Sequence, residues 1–188
     1  MKIRQTIFLL PLFLLAGCAS AGGSQSRDLD LKELCTEEQV FQYADFEWGT
    51  DSEQLFKQSS LKFDKKDLGQ GDESSTKTYE SKEKFSLENA ESNMDLEFSD
   101  GQLSQVSFTF DIEQDANTWI QKEVDELNSL YGGGIATGLG NQIYQWQGEQ
   151  DTVLQLTAFT EGDESATVIL SVASMESVSY THLTLPTT

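Results

Sequence analysis

The chain is short of bases. In 188 residues, 12 Lys and Arg stand against 32 Asp and Glu, a formal charge of −20. Nucleic-acid binding needs clustered cations against phosphates, so that partner class is excluded. One His and two Cys are present. They leave almost no soft ligands for zinc and no base beside a nucleophilic thiol. No Gly-x-Ser-x-Gly turn and no His-Glu-x-x-His pair occurs. Paired carboxylates remain as a catalytic option, because acids are everywhere and the sequence hides their distances. Apolar residues make up 37% and aromatics 10%, enough for one packed core and too many for a disordered chain.

The one long apolar run is at the amino terminus. Lys2 and Arg4 precede Ile7 to Ala16, which is ten residues; a spanning helix needs about twenty. The run closes on Leu15-Ala16-Gly17-Cys18. These residues resemble the lipobox of bacterial lipoproteins. The resemblance implies a signal peptide over 1–17 and cleavage between Gly17 and Cys18. It also implies a covalent diacylglycerol on the Cys18 thiol and an N-acyl chain on the new terminus. Two or three acyl chains anchor stably where one does not, so the membrane is an expected partner, and no other cofactor is expected. Ala19 resembles an outer-membrane address facing the periplasm; in a Gram-positive cell the same signal means the outer face of the plasma membrane. Cleavage removes Lys2 and Arg4, taking the charge from −20 to −22.

Ala19 to Arg27 is rich in Ala, Gly, Ser and Gln, the composition of a flexible tether. Asp28 to Val40 is acidic with scattered Leu and predicts a loosely ordered lead-in with at most one helical turn. Residues 18–40 are therefore expected to be anchor and tether, and 41–176 a single domain. At the other end, Val178 to Thr188 resembles a translated transposon mosaic-end adapter. We set this segment aside as a sequencing-library artefact. On that basis His182 and Pro186 are expected not to be native, and the native chain is expected to continue differently.

Within the body, Thr50-Asp51-Ser52-Glu53 has capping-box spacing and predicts a short helix to Ser59, with Thr50 as the cap. Leu61 and Phe63 alternate and open a strand. Gly69 to Thr76 predicts a loop, and Thr78 to Leu87 a weakly alternating strand. Met94, Leu96 and Phe98 alternate with acids, and Val106, Phe108, Phe110 and Ile112 with polar residues, as half-buried strands do. Parity sets the turn between them. A two-residue turn at Asp100-Gly101 puts the apolar rows on opposite faces, whereas a three-residue loop, Ser99 to Gly101, pairs Met94 with Val106 on one face.

Asp115 to Tyr131 predicts the main helix, with Ala116, Ile120, Val124, Leu127 and Tyr131 as its apolar stripe. Asp115 or Thr118 suits its cap, and Gly132-Gly133-Gly134 its stop. Strands follow at Ile143–Gln147, Thr152–Thr160 and Ser165–Ala173. An odd loop at Glu161 to Asp163 keeps the last two apolar rows together.

The order is helix, about three strands, helix, about three strands. It predicts an α+β fold, an antiparallel sheet with helices on one face. It divides into two αβββ repeats with halves 46–112 and 113–176. This order and punctuation are similar to the helix-plus-strands repeats of β-lactamase-inhibitor proteins and of small outer-membrane-assembly lipoproteins. A cystatin-like helix-on-sheet module is the structural alternative.

Several motifs invite chemistry and have plainer explanations. Cys35 is the only thiol of the mature body; it suits an unpaired structural thiol, or a bridge to a Cys in the native tail expected in place of Val178 to Thr188. The Gly-rich stretch Gly132 to Gly140 lacks a phosphate-loop Lys and follows a helix rather than preceding one. Asp111, Glu113, Asp115 and Asn117 alternate like calcium-loop ligands. Ala116 stands where that loop needs Gly, and Lys122 where it needs Glu. Trp119 and Trp146, at the edge of the stripe and near a loop, are the candidate binding aromatics.

After Lys84 the only base is Lys122, against 17 acids through Glu176. This is a solvated acidic surface, or an acidic face for a basic partner protein or a divalent cation. The first functional expectation is a lipid-anchored bacterial envelope protein, a non-enzymatic module that binds another envelope protein. The alternatives are an envelope hydrolase with paired carboxylates and a small-ligand-binding lipoprotein.

Overall fold

A computed structural model of the chain describes residues 26–67, 75–137, 142–162 and 164–175. Nine strands form one sheet: β1 (Arg27–Asp28), β2 (Phe63–Lys66), β3 (Thr76–Leu87), β4 (Ala90–Ser99), β5 (Gln102–Ile112), β6 (Ile135–Thr137), β7 (Gln142–Gln147), β8 (Thr152–Glu161) and β9 (Ser165–Ser174). Two helices, α1 (Ser52–Gln58) and α2 (Ala116–Tyr131), complete the α+β fold. The sheet order is β1-β3-β4-β5-β9-β8-β7-β6, with β2 also paired to β3. Only β1 pairs parallel.

Each helix is followed by four antiparallel strands, and the last strands of the two sets, β5 and β9, pair at the centre. The strands of the first set therefore run outward from the middle to β2, and those of the second to β6. Each repeat has four strands where about three are expected: β2 is the strand that Leu61 and Phe63 open, and the short edge strand β6 has no counterpart in the sequence pattern. At the central seam Val106, Phe108 and Phe110 oppose Val172, Leu170 and Val168. All six are buried, and burying such side chains contributes about 1.5–3 kcal/mol each.

The parity requirement between β4 and β5 holds, but a different device meets it. Ser99 pairs with Gln102 across a two-residue turn, Asp100-Gly101, both at positive φ (51° and 84°). That is the hairpin turn whose twist suits the strands. A bulge then inserts Ser104: Phe98 faces Leu103 while Glu97 faces Gln105. The extra residue restores the register, so that Leu96 meets Val106 and Met94 meets Phe108. Ser104 is buried, and its hydroxyl donates to the Glu97 carbonyl at 3.1 Å. The three-residue loop expected from the sequence is therefore replaced by a tight turn plus a bulge. Between β8 and β9 the odd connection is as expected: Glu161 pairs with Ser165 and Leu156 with Leu170.

Both helices cover the same face. The α1 ring Phe56 stacks on Phe63 and meets Tyr79 and Phe98 edge-on. Asp51 caps α1, one residue later than expected, and its side chain accepts from the Gln54 N–H at 2.9 Å. On α2, Ile120, Val124 and Leu127 join the same core. Asp115 is its N-cap residue, in the left-handed region, and makes no side-chain cap bond. Instead the Ala116 N–H donates to the Glu164 carbonyl in the β8–β9 turn. Gly132 at φ 85° ends the helix.

The segment expected to be a loose tether is part of the fold from Arg27 onward. Leu29, Leu31, Leu34, Val40, Phe41 and Tyr43 are buried. A 3-10 turn, Leu31–Leu34, is capped by Asp30. Tyr43 packs edge-on to Phe85 and Phe108, and Phe41 to Tyr131 of α2. The Phe41 N–H donates to Thr152 Oγ1 and the Glu149 N–H to the Gln39 carbonyl. The segment thus ties β3 of the first repeat to the β7–β8 turn of the second. Irregular backbone has no hydrophobic period, so its scattered Leu residues carried no signal. The Gly69–Thr76 loop falls mostly, and the Val178–Thr188 tail wholly, outside the described residues.

Candidate functional site

Gly17 and Cys18, the expected cleavage and lipidation positions, lie outside the described residues. Among the described residues no helix is long and apolar enough to cross a membrane.

The two candidate aromatics are structural. Trp146 is 3% exposed, which corrects its assignment as a docking side chain. Its Nε1 donates to Asn128 Oδ1 and to the Gly132 carbonyl. Asn128 Oδ1 also accepts from the Gly134 N–H at 2.8 Å. A Cβ on Gly134 would sit 2.6 Å from the indole ring. Gly132 and Gly134 therefore serve as a helix stop and an indole seat. Trp119 is half-buried against Phe110, with its Nε1 enclosed and unpartnered. Its N–H is not presented for docking.

The other motifs resolve similarly. Cys35 is a half-buried free thiol, its pKa raised by burial. Asp111 is the penultimate residue of β5 and accepts from Thr167 Oγ1 at 2.9 Å, and Asp115 is the N-cap residue of α2. Among the described residues no group of three or more His, Cys, Asp or Glu is arranged to hold a metal ion. Two carboxyls are pushed upward, Glu97 and Glu123, both mainly by burial. Glu97 is on the face of β4 opposite its core residues Leu96 and Phe98, while Glu123 is on α2, which covers the core face. The sheet separates them, so they form no acid–base pair.

What remains is the outer face of the sheet, opposite the helices. Pairing aligns its side chains in rows. One row runs Asp95, Ser107, Ser171, Gln155, Gln145 across five strands. The next runs Thr109, Ile169, Thr157, Ile143. Phe159, 43% exposed, opposes Thr167 in a third. From β9 to β6 every outward residue is Ser, Thr, Gln, Ala, Val, Ile or Phe until Glu161 at the end of β8. Apart from Glu161, the described acids of the second repeat sit on α2, just before it at Glu113 and Asp115, and in turns, at Glu149, Asp151 and Glu164. The acidic face expected from the charge count is therefore not on the second half of the sheet. Period-2 alternation foretold these outward positions, but the alternating polar residues carry no sign of which face stays open.

Neither a protein-family model, a curated protein nor a solved structure matches the chain.

Proposed function

We propose that the chain is a lipid-anchored bacterial envelope protein that binds another protein and catalyses nothing itself, with the neutral outer face of β7, β8 and β9 as its contact. The observation that supports this is the lack of charge on that face in a chain of net charge −20. A sheet face meant only for solvent carries charge readily. One meant for a partner is depleted of charge, because desolvating a charge on binding is costly. A broad sheet face of Gln, Ser and Thr with Ile and Phe among them suits a protein surface better than a small molecule, which needs a concave site.

Leu15-Ala16-Gly17-Cys18 supports anchoring through acyl chains on Cys18, and Ala19 an outer-membrane location facing the periplasm. Kinship with the β-lactamase-inhibitor-like and outer-membrane-assembly repeats is part of the same proposal. It rests on two helix-led sets of strands meeting at one seam. Two variants test the reading. Cys18→Ser is expected to move the protein from the membrane to the soluble fraction. Ser171→Asp is expected to abolish partner binding by that soluble form while leaving its melting temperature nearly unchanged. Membrane retention of the first variant rejects the anchor; unimpaired binding by the second rejects the face.

A further inference from the structure

α2 places an acid where its core stripe expects an apolar side chain. Glu123 follows Ile120 by three residues and precedes Leu127 by four, so it shares their face. It is 1% exposed, and neither carboxyl oxygen has a hydrogen-bond partner. One turn earlier on that face, Trp119 Nε1 is enclosed and unpartnered as well. The β3–β4 turn, Glu88-Asn89, reaches this part of the helix: Glu88 Oε2 lies 2.5 Å from Lys122 Nζ. Beside it runs a groove of about 540 Å³, bounded by the turn, by the amino-terminal segment around Asp28 to Leu31, and by Glu126 of α2.

A buried carboxyl without partners is tolerated when neutral and strongly unfavourable when ionised. We propose that Glu123 is a proton-operated latch between α2 and the β3–β4 turn: protonated, it lets the turn seat on the helix, and ionised, it drives the turn away and reaches water through the adjoining groove. The only covalent change is loss of the carboxyl proton to water. Glu126 on α2 and Glu88 on the turn oppose ionisation, Lys122 favours it, and Asp28, Asp30 and Glu91 line the groove into which the freed carboxylate would move.

Burial first, then Glu126 and Glu88, push the carboxyl up from 4.5 to about 7, with Lys122 pulling the other way. A raised acid in the closed state means the closed state holds the proton more tightly. Closure is therefore fully supported below about pH 4.5, and that support is lost as pH rises through about 7. The latch responds as pH rises toward neutrality, whatever the partner of the sheet face.

Hydrogen exchange of the amides at 87–90 in the full chain, corrected for the intrinsic pH dependence of exchange, reads the latch. Between pH 5 and 8 the wild type is expected to lose protection roughly fifty-fold, and Glu123→Gln less than twofold. Equal responses in the two proteins, or no response in the wild type, overturn the proposal. The carboxyl 13C shift of Glu123 in the wild type gives a reading that needs no variant. A midpoint near 7 is expected, and a midpoint below 5 overturns it.

Discussion

The two halves of the sheet share a topology and differ on their outer faces. On the first, charges are dense and locally balanced. Lys66 lies 3.0 Å from Glu80 and 2.8 Å from Asp95, Lys82 lies 2.9 Å from Asp64, and Lys84 lies 3.3 Å from Glu91. On the second, the equivalent positions are Ser, Thr, Gln and Ile. A lattice of exposed ion pairs keeps a sheet face wet and adds little stability. A neutral face is cheaper to dry. The edges differ in the same sense: β2 carries Asp64, Lys65 and Lys66, whereas β6 is Ile135, Ala136 and Thr137. Charged edges block pairing with other chains. The charge distribution thus supports the proposed contact on the second half, even though residues 113–176 hold one base against 11 acids.

Deleting residues 26–40 is expected to have the largest effect, because the segment braces both halves. It removes four buried side chains, Leu29, Leu31, Leu34 and Val40, each contributing about 1.5–3 kcal/mol. Circular dichroism should show loss of the cooperative fold, and an unchanged melt would mean that the halves stand without their brace. Next, Trp146→Ala in the second half and Phe98→Ala in the first should each cost about 3–5 kcal/mol. Denaturant unfolding should stay a single transition in both. A split transition would show that the halves are separate folding units.

Glu123→Gln follows in size and acts on the helix that covers the shared core. The raised carboxyl of the wild type means that the contribution of Glu123 to stability is fully present below about pH 4.5 and is lost as pH rises through about 7. Up to about 3 kcal/mol is at stake. Melting curves should show the variant more stable at pH 8 and flat across that window. The smallest effect is expected from Lys66→Met, about 1 kcal/mol or less. Its cost should shrink further as salt screens the exposed pairs. Gln155→Ala on the neutral face should show no such salt dependence, which sharpens the contrast between the faces.

Much of this architecture is written in local pattern. The alternation of β4, β5, β8 and β9 and the stripe of α2 follow from their periods, and parity correctly required an even register between β4 and β5. Parity does not distinguish a longer loop from a tight turn plus a bulge, because both shift the register by one residue. Residues 27–40 show no such pattern, because their burial depends on tertiary contact, with the Leu29 N–H donating to the Ser86 carbonyl and the Gln39 carbonyl accepting from the Glu149 N–H, rather than on any repeat. The edge strand β6 is three residues long beside glycines and has too few positions to show a period. Trp146 looked available because it lies near a loop, yet Gly134 leaves room for its ring to turn inward. The signal for Glu123 was present, an acid at core spacing between Ile120 and Leu127, and was hidden by the many exposed acids around it.

The central claim is that the neutral half of the outer face, and not the charged half, meets a partner. Photo-crosslinking side chains placed at Gln155 and at Asp64 in otherwise identical cells test it directly. The account predicts a discrete protein adduct from position 155 and none from position 64. Adducts from position 64 with none from 155, or equal adducts from both, would contradict it.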